Sequence, residues 1–206
     1  MRSLFSIALL GLIASLPVAE AATFNDPTWP CIQRKVSNLS IGQMWTGEIL
    51  EPEQITEADG KLDILAGALA VRRTSLEEAE KLIDDFAKAA GDDKPDKLAL
   101  LFALVFERID TERAQLIGGI GRYAGKQAGL AERINTQNEE LAELEAKEDK
   151  SHDEFDRLEE IADKVEWDTR IFDERQQSLT YVCETPVLLE KRAFALARLM
   201  MVHLDE

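Results

Sequence analysis

Reactive side chains are scarce in this sequence of 206 residues, which contains two cysteines and two histidines. The histidines, His152 and His203, stand in no pattern that pairs a nucleophile with its base. The sequence also lacks a Cys-x-x-Cys motif, a phosphate-binding loop, a dinucleotide fingerprint and a His-Glu-x-x-His motif. It therefore predicts no catalytic residue, no cofactor site and no metal site, and we expect a protein that is not an enzyme.

Positive charge is also in short supply. The chain has 24 lysines and arginines against 40 aspartates and glutamates, which gives a formal net charge of -16. Nucleic acid binding needs a basic face, and none is visible. An anionic membrane surface would repel the chain for the same reason. The charge argues against both partner classes, and an acidic surface of this kind could meet a basic patch on another protein.

Long apolar runs are missing except near the start, at residues 4–16. This run is shorter than the roughly 20 residues that span a bilayer. Arg2 precedes it, Pro17 follows it, and Ala19-Glu20-Ala21 fits a signal peptidase site. We expect residues 1–21 to be a signal peptide that directs the chain to the periplasm or to secretion, with no transmembrane segment after its removal. An uncleaved membrane anchor is the alternative.

The two cysteines, Cys31 and Cys183, predict one structural disulfide, because an exported protein folds in an oxidising compartment. Such a bridge closes nearly the whole mature chain, and the chain-entropy model assigns it roughly 4–5 kcal/mol. Two buried free thiols are the alternative.

Residues 22–60 carry prolines, glycines and two of the three tryptophans. This composition predicts an irregular N-terminal arm that lies on a helical body, because large aromatic residues can anchor a segment without regular structure. The expected anchors are Trp29, Ile32, Val36, Leu39, Ile41, Met44, Trp45 and Ile49.

Residues 61–206 repeat their apolar positions with the 3.6-residue period of an α-helix, which predicts a helical domain. Ser75 and Ser151 each stand three residues before a glutamate, the pattern of a capping box, and so predict helix starts. Between them a very long helix is predicted over about residues 95–147. Thr185-Pro186 predicts the start of a last helix, with Thr185 as its cap.

The long helix and the helix after Ser151 predict an antiparallel hairpin at about residues 115–183. Apolar residues there alternate steps of three and four, as in coiled coils. The linker, residues 148–150, is short enough to make the two helices antiparallel. The expected inward positions are Ile120, Tyr123, Gln127, Leu130, Ile134, Gln137, Leu141 and Leu144 on one helix, and Phe155, Leu158, Ala162, Val165, Thr169, Phe172, Gln176, Leu179 and Cys183 on the other.

Glycines inside the long helix are the unusual feature. Gly121, Gly125 and Gly129 recur every four residues and therefore share one face, although each costs roughly 0.5–1 kcal/mol against alanine. The favoured interpretation is close packing of another helix, for which the alanine-bearing last helix is a candidate. A bend at the root of the hairpin and a groove for a partner helix are the alternatives.

Acidic residues gather at the predicted tip of the hairpin. They could hold a divalent cation through oxygen ligands, but their spacing matches no calcium loop. A solvated helix start with acids near its positive end is the favoured interpretation. The acidic residues are Glu148, Asp149, Asp153, Asp156 and Glu159, and His152 lies among them.

We therefore expect an all-α fold, in which a helical base carries a projecting, coiled-coil-like hairpin and one disulfide ties down the irregular arm. The expected function is that of an exported, non-enzymatic envelope protein that contacts a protein partner as scaffold, adaptor or accessory subunit. The sequence is also compatible with a homo-oligomer. The alternatives are a periplasmic holdase that uses the hairpin, and a weak divalent-cation binder or enzyme of unknown type.

Overall fold

The computed structural model describes residues 29–55 and 60–204, so the predicted signal peptide and the first residues of the arm lie outside the described part. Within these ranges the chain is all α and forms no strand. None of the described helices combines the length and hydropathy that a bilayer crossing requires. The α-helices are α1 (Pro52–Ile55), α2 (Gly60–Ala70), α3 (Leu76–Ala90), α4 (Lys94–Glu145) and α5 (His152–Met201), with 3-10 turns at Ile41–Gln43 and Gly91–Asp93.

Both predicted capping boxes are confirmed. The Ser75 hydroxyl accepts a hydrogen bond from the Glu78 amide at 3.1 Å, and the Glu78 carboxylate accepts one from the Ser75 amide at 2.9 Å. Ser151 and Glu154 make the same reciprocal pair at 3.3 and 2.9 Å. Each box satisfies two amides at a helix start and so fixes where α3 and α5 begin.

The base of the molecule is a helical core made by α2, α3, the first part of α4 and the last part of α5. The start of α4 is apolar on nearly all sides, and it is buried there as predicted because three other helices surround it. The side chains with almost no exposed surface in this core include Leu69, Ile83, Leu98, Leu101, Phe102, Val105, Ile109, Leu189, Leu196 and Met200.

The rest of α4 and α5 forms the predicted hairpin. Arg133 pairs with Asp168, and further along α4 Glu140 pairs with Arg157. The residue numbers of the partners thus fall along α5 as they rise along α4, which shows that the two helices are antiparallel. A prong of about 30 residues extends about 45 Å.

The inward face of α5 is only partly as predicted. Phe155, Thr169 and Gln176 are exposed, whereas Ile161 and most of Asp168 are covered. The predicted and the observed inward positions of α5 both fit the alternating steps of three and four residues. The observed set buries the large Ile161 and lets Asp168 reach Arg133 of α4. On α4 the prediction of the inward face is confirmed. Four of its predicted positions are buried, namely Ile120, Gln127, Leu130 and Leu144.

The predicted helix start at Thr185-Pro186 is wrong, because α5 continues through it to Met201. Pro186 lacks an amide and leaves the carbonyl four residues earlier without its helical donor. The buried residues Leu189, Ala193 and Leu196 that follow pack into the base, and this packing outweighs the local cost. A proline after a threonine is a helix-start signal only where the preceding residues leave the helix.

The irregular arm and its disulfide are confirmed. Cys31 and Cys183 are bonded at an S–S distance of 2.00 Å, with their Cα atoms 5.6 Å apart. Deeper in the arm, Met44 and Trp45 are buried, and the Trp45 ring stacks on Phe102 with the ring centroids 4.6 Å apart. The arm therefore joins both the root of the hairpin and the core of the base.

Three of the predicted anchors of the arm are wrong. Ile32 is 99% exposed, and Val36 and Ile49 are also exposed. Polar contacts hold this stretch instead: Asp110 of α4 accepts a hydrogen bond from the Leu39 amide at 2.7 Å, and Arg113 donates to the Val36 carbonyl. Buried backbone groups of an irregular segment need such partners, and hydropathy does not reveal them.

Candidate functional site

Three large apolar side chains are exposed on the side of α5 turned away from α4, with Glu174 at the heptad position between the first two. Trp167 is 58% exposed, Tyr181 is 75% exposed, and Leu188 is exposed as well. They stand 14 and seven residues apart, so they stay on one side of a helix that packs by heptads. Each comes two positions after an inward residue, which places it on the outside. We call Trp167, Tyr181 and Leu188 the outer face of α5.

Acidic side chains surround the outer face. Asp163, Glu166 and Glu174 are exposed and form no ion pair with any residue in the described part of the chain. Arg170 lies over the Trp167 ring, 4.4 Å from its centroid. The outer face therefore combines aromatic surface with negative charge.

Several basic residues of the hairpin form ion pairs within it. Arg133 donates to both carboxylate oxygens of Asp168, at 2.8 and 3.0 Å. Arg157 donates to both oxygens of Glu140, at 2.9 and 3.2 Å, and Lys164 pairs with Glu160. The Arg133–Asp168 and Arg157–Glu140 pairs join α4 to α5, whereas the Lys164–Glu160 pair lies within α5.

The ion pairs also shift the acidity of the hairpin carboxylates. The hydrogen bond from Arg133 lowers the pKa of Asp168 below its ordinary value. At the tip, Lys147, and after it the Ser151 amide and hydroxyl, lower the pKa of Glu154 to about 2. Both groups are therefore charged at neutral pH, and their partners are held in place.

The glycines of α4 are not packed against the last helix as expected. Gly125 and Gly129 are exposed, and a Cβ atom added at either would meet no other atom within 4 Å. Gly121 is half-buried. The interpretation of close packing within the chain is thus wrong for Gly125 and Gly129, whereas a face for a partner helix stays a prediction.

An apolar groove lies between α4 and α5 at the root of the hairpin. It has a volume of about 360 Å³, and Leu116, Ile120, Leu179 and Val182 line it together with Tyr123. Gly119 also lines it, and the missing side chain keeps this side open. Apolar clefts of this size bind apolar groups.

The acids of the tip stay apart. His152 is exposed and lies 3.9 Å from Asp156, the nearest carboxylate that it meets. Glu154 is committed to Lys147 and Ser151. Among the described residues, no group of three or more potential ligands is arranged to hold a metal ion.

The outer face was missed by the sequence analysis, although a signal for it exists. Trp167, Tyr181 and Leu188 repeat in heptad steps away from the apolar stripe. This repeat can be interpreted only once the inward register of α5 is known, and the predicted register was shifted by one residue at Ile161.

Comparison with known proteins gives no relative from which a role could be inferred. No protein-family model matches the chain, and no curated protein and no solved structure matches it either. The surfaces of the chain itself are therefore the basis for its function.

Proposed function

We propose that this chain is an exported envelope protein that acts without catalysis, by binding another protein through the hairpin as scaffold, adaptor or accessory subunit. The observation that carries the proposal is the outer face of α5, where Trp167 and Tyr181 are exposed on a helix that is paired with α4. Tryptophan and tyrosine are enriched among the residues that dominate the energy of protein interfaces.

The export of the chain is supported by two independent features. The Cys31–Cys183 disulfide is of the kind that persists in oxidising compartments. The sequence of residues 1–21 has the charge, apolar run and small residues of a signal peptide. Together they favour the periplasm, or secretion.

The pairing of α4 with α5 supports binding by a preformed surface. Two bidentate arginine–carboxylate pairs, Arg133–Asp168 and Arg157–Glu140, link α4 to α5 along its length. A partner that meets the outer face would not have to order it, which lowers the cost of binding.

Site-specific photo-crosslinking tests this function. A photoreactive phenylalanine analogue replaces Tyr181 on the outer face or, as a matched control, Asn135 on the exposed side of α4. In the native envelope we expect Tyr181, but not Asn135, to give one crosslinked protein that excess unlabelled protein competes away. A Trp167→Ala competitor should compete more weakly. The absence of a competed product at Tyr181 would contradict the proposal.

A holdase is the second candidate, and the groove at Leu116, Ile120 and Leu179 favours it. A holdase would grip apolar segments of unfolded clients in such a cleft between the arms of the hairpin. Slower aggregation of a reduced, unfolded envelope protein at stoichiometric amounts is the expected result. A Gly119→Leu variant, which fills the groove, should lose the effect, and an equal effect in that variant would exclude the groove.

A further inference from the structure

A second apolar groove lies in the base, away from the hairpin, where α2, α3 and the start of α4 meet. Its volume is about 510 Å³. Its apolar lining comes from all three helices, and Leu65, Phe86 and Leu100 each keep part of their surface open to it. Clefts of roughly 300–1,000 Å³ with mostly apolar walls are the usual binding sites of small molecules.

Two lysines flank this groove, although the chain as a whole has a net charge of -16. Lys61 of α2 is exposed and forms no ion pair with another described residue. Lys97 of α4 lies 3.3 Å from Asp93 and also donates to the Ala90 carbonyl at 3.3 Å. Because exposed ion pairs contribute little, a ligand can replace Asp93 at small cost.

We propose that this groove binds a single-chain anionic amphiphile of the fatty-acid type. Its alkyl chain would lie along Leu65, Phe86 and Leu100, and its carboxylate would meet the ammonium groups of Lys61 and Lys97. This site is separate from the outer face of α5 and does not depend on the proposed protein contact.

The lining favours an amphiphile over a protein segment. Apart from the two lysines, the side chains in the groove are those of leucine, phenylalanine and alanine. An extended peptide would bring amides and carbonyls that such walls cannot pair, which is costly. An alkyl chain has no polar group except its head, and the lysines match the charge of a carboxylate.

Binding of saturated fatty acids of increasing length tests the proposal. The purified, disulfide-bonded protein is titrated calorimetrically with octanoate, decanoate, dodecanoate and tetradecanoate, each below its critical micelle concentration. Affinity should rise with length, by at most about fourfold for each buried methylene. Dodecyltrimethylammonium, with the same chain length and a cationic head, should bind at least tenfold more weakly than dodecanoate.

Variants locate the binding. Lys61→Glu and Lys97→Glu should each weaken dodecanoate by about tenfold, whereas Lys88→Glu, on an exposed part of α3 outside the groove, should not. Ala89→Trp should fill the groove and abolish binding, with thermal melting to show that the variant is folded. No dodecanoate binding, equal binding of the cationic amphiphile, or an equal loss in Lys88→Glu would overturn the proposal. Displacement of dodecanoate by an acidic amphipathic peptide of higher affinity would do the same.

Discussion

A buried arginine, Arg192, links two helices at a single carbonyl group. Arg192 of α5 is 8% exposed, and its Nε donates to the Leu69 carbonyl at 2.8 Å. Leu69 belongs to the last turn of α2, where carbonyls have no partner inside the helix. Burial, and after it the nearby Arg72, lowers the pKa of Arg192. The guanidinium therefore carries a desolvation cost that its contact with α2 must offset.

Replacing Arg192 by methionine should destabilise the protein by about 1–3 kcal/mol, because the Leu69 carbonyl is left buried without a donor. Urea unfolding followed by circular dichroism measures the change. Lys191→Met is the matched control, since Lys191 is the exposed neighbour and should change stability by less than about 0.5 kcal/mol. If the two variants are equally stable, the contact does not hold α2 to α5.

Glu154 makes the tip of the hairpin sensitive to acid. Its pKa is lowered to about 2 from 4.5, so the folded tip binds this proton less readily than the unfolded chain does. The stabilisation is therefore complete above about pH 4.5 and is lost as the pH falls towards 2. The protection of amides 145–160 against hydrogen exchange, taken relative to the unfolded chain at the same pH, should fall as the pH drops across that interval.

The Glu154→Gln variant should remove this part of the acid dependence and loosen the tip already at pH 6. Glu159→Gln is the control, because Glu159 is exposed and forms no ion pair with another described residue. An acid profile that is the same in Glu154→Gln and in the original protein would show that another group causes the change.

Helix elements differ in how well the sequence predicts them, and the reason is the range of the interactions. Ser75 and Ser151 fix helix starts through contacts three residues away, and both were predicted. Pro186 was misinterpreted, because the packing that carries α5 past it lies in residues far along the chain. The predicted inward register of α5 was wrong at Ile161, because two neighbouring sets of residues both fit the heptad period.

The outer face of α5 could not be predicted for the same reason. Which side of a helix is exposed depends on the helix it packs against, and Asp168 turns inward only because Arg133 stands opposite. A polar residue at an inward position carries no hydrophobic signal. Trp167 and Tyr181 could thus be assigned to the outside only after α4 was placed beside α5.

The Arg133–Asp168 pair should couple the two helices energetically. Its two hydrogen bonds are of ordinary length, and the Asp168 side chain is only 14% exposed, but Arg133 is 58% exposed and screened by solvent. We therefore expect a favourable but small coupling in a double-mutant cycle of Arg133→Ala and Asp168→Ala. Urea unfolding of the four proteins measures it, and single losses that simply add would contradict the pairing.

At the scale of the whole molecule, the arm is fixed at points of different chemistry. The disulfide ties Cys31 to α5, Asp110 and Arg113 hold the middle, and Trp45 inserts into the core against Phe102. The attachments of the arm thus lie at the root of the hairpin and in the base.

Replacing Cys31 by serine should show that the disulfide and the Trp45 packing hold the arm independently. In the chain-entropy model the bridge contributes up to about 5 kcal/mol, so the melting temperature should fall while helix content stays nearly unchanged. Hydrogen exchange should accelerate over residues 31–40, but little at Met44 and Trp45, because their packing does not involve the bridge. Cys31→Ser/Cys183→Ser controls for the free thiol left on α5 and should behave alike. An unchanged melting temperature, or equal loosening at Trp45, would show that the arm is not held independently by bridge and core.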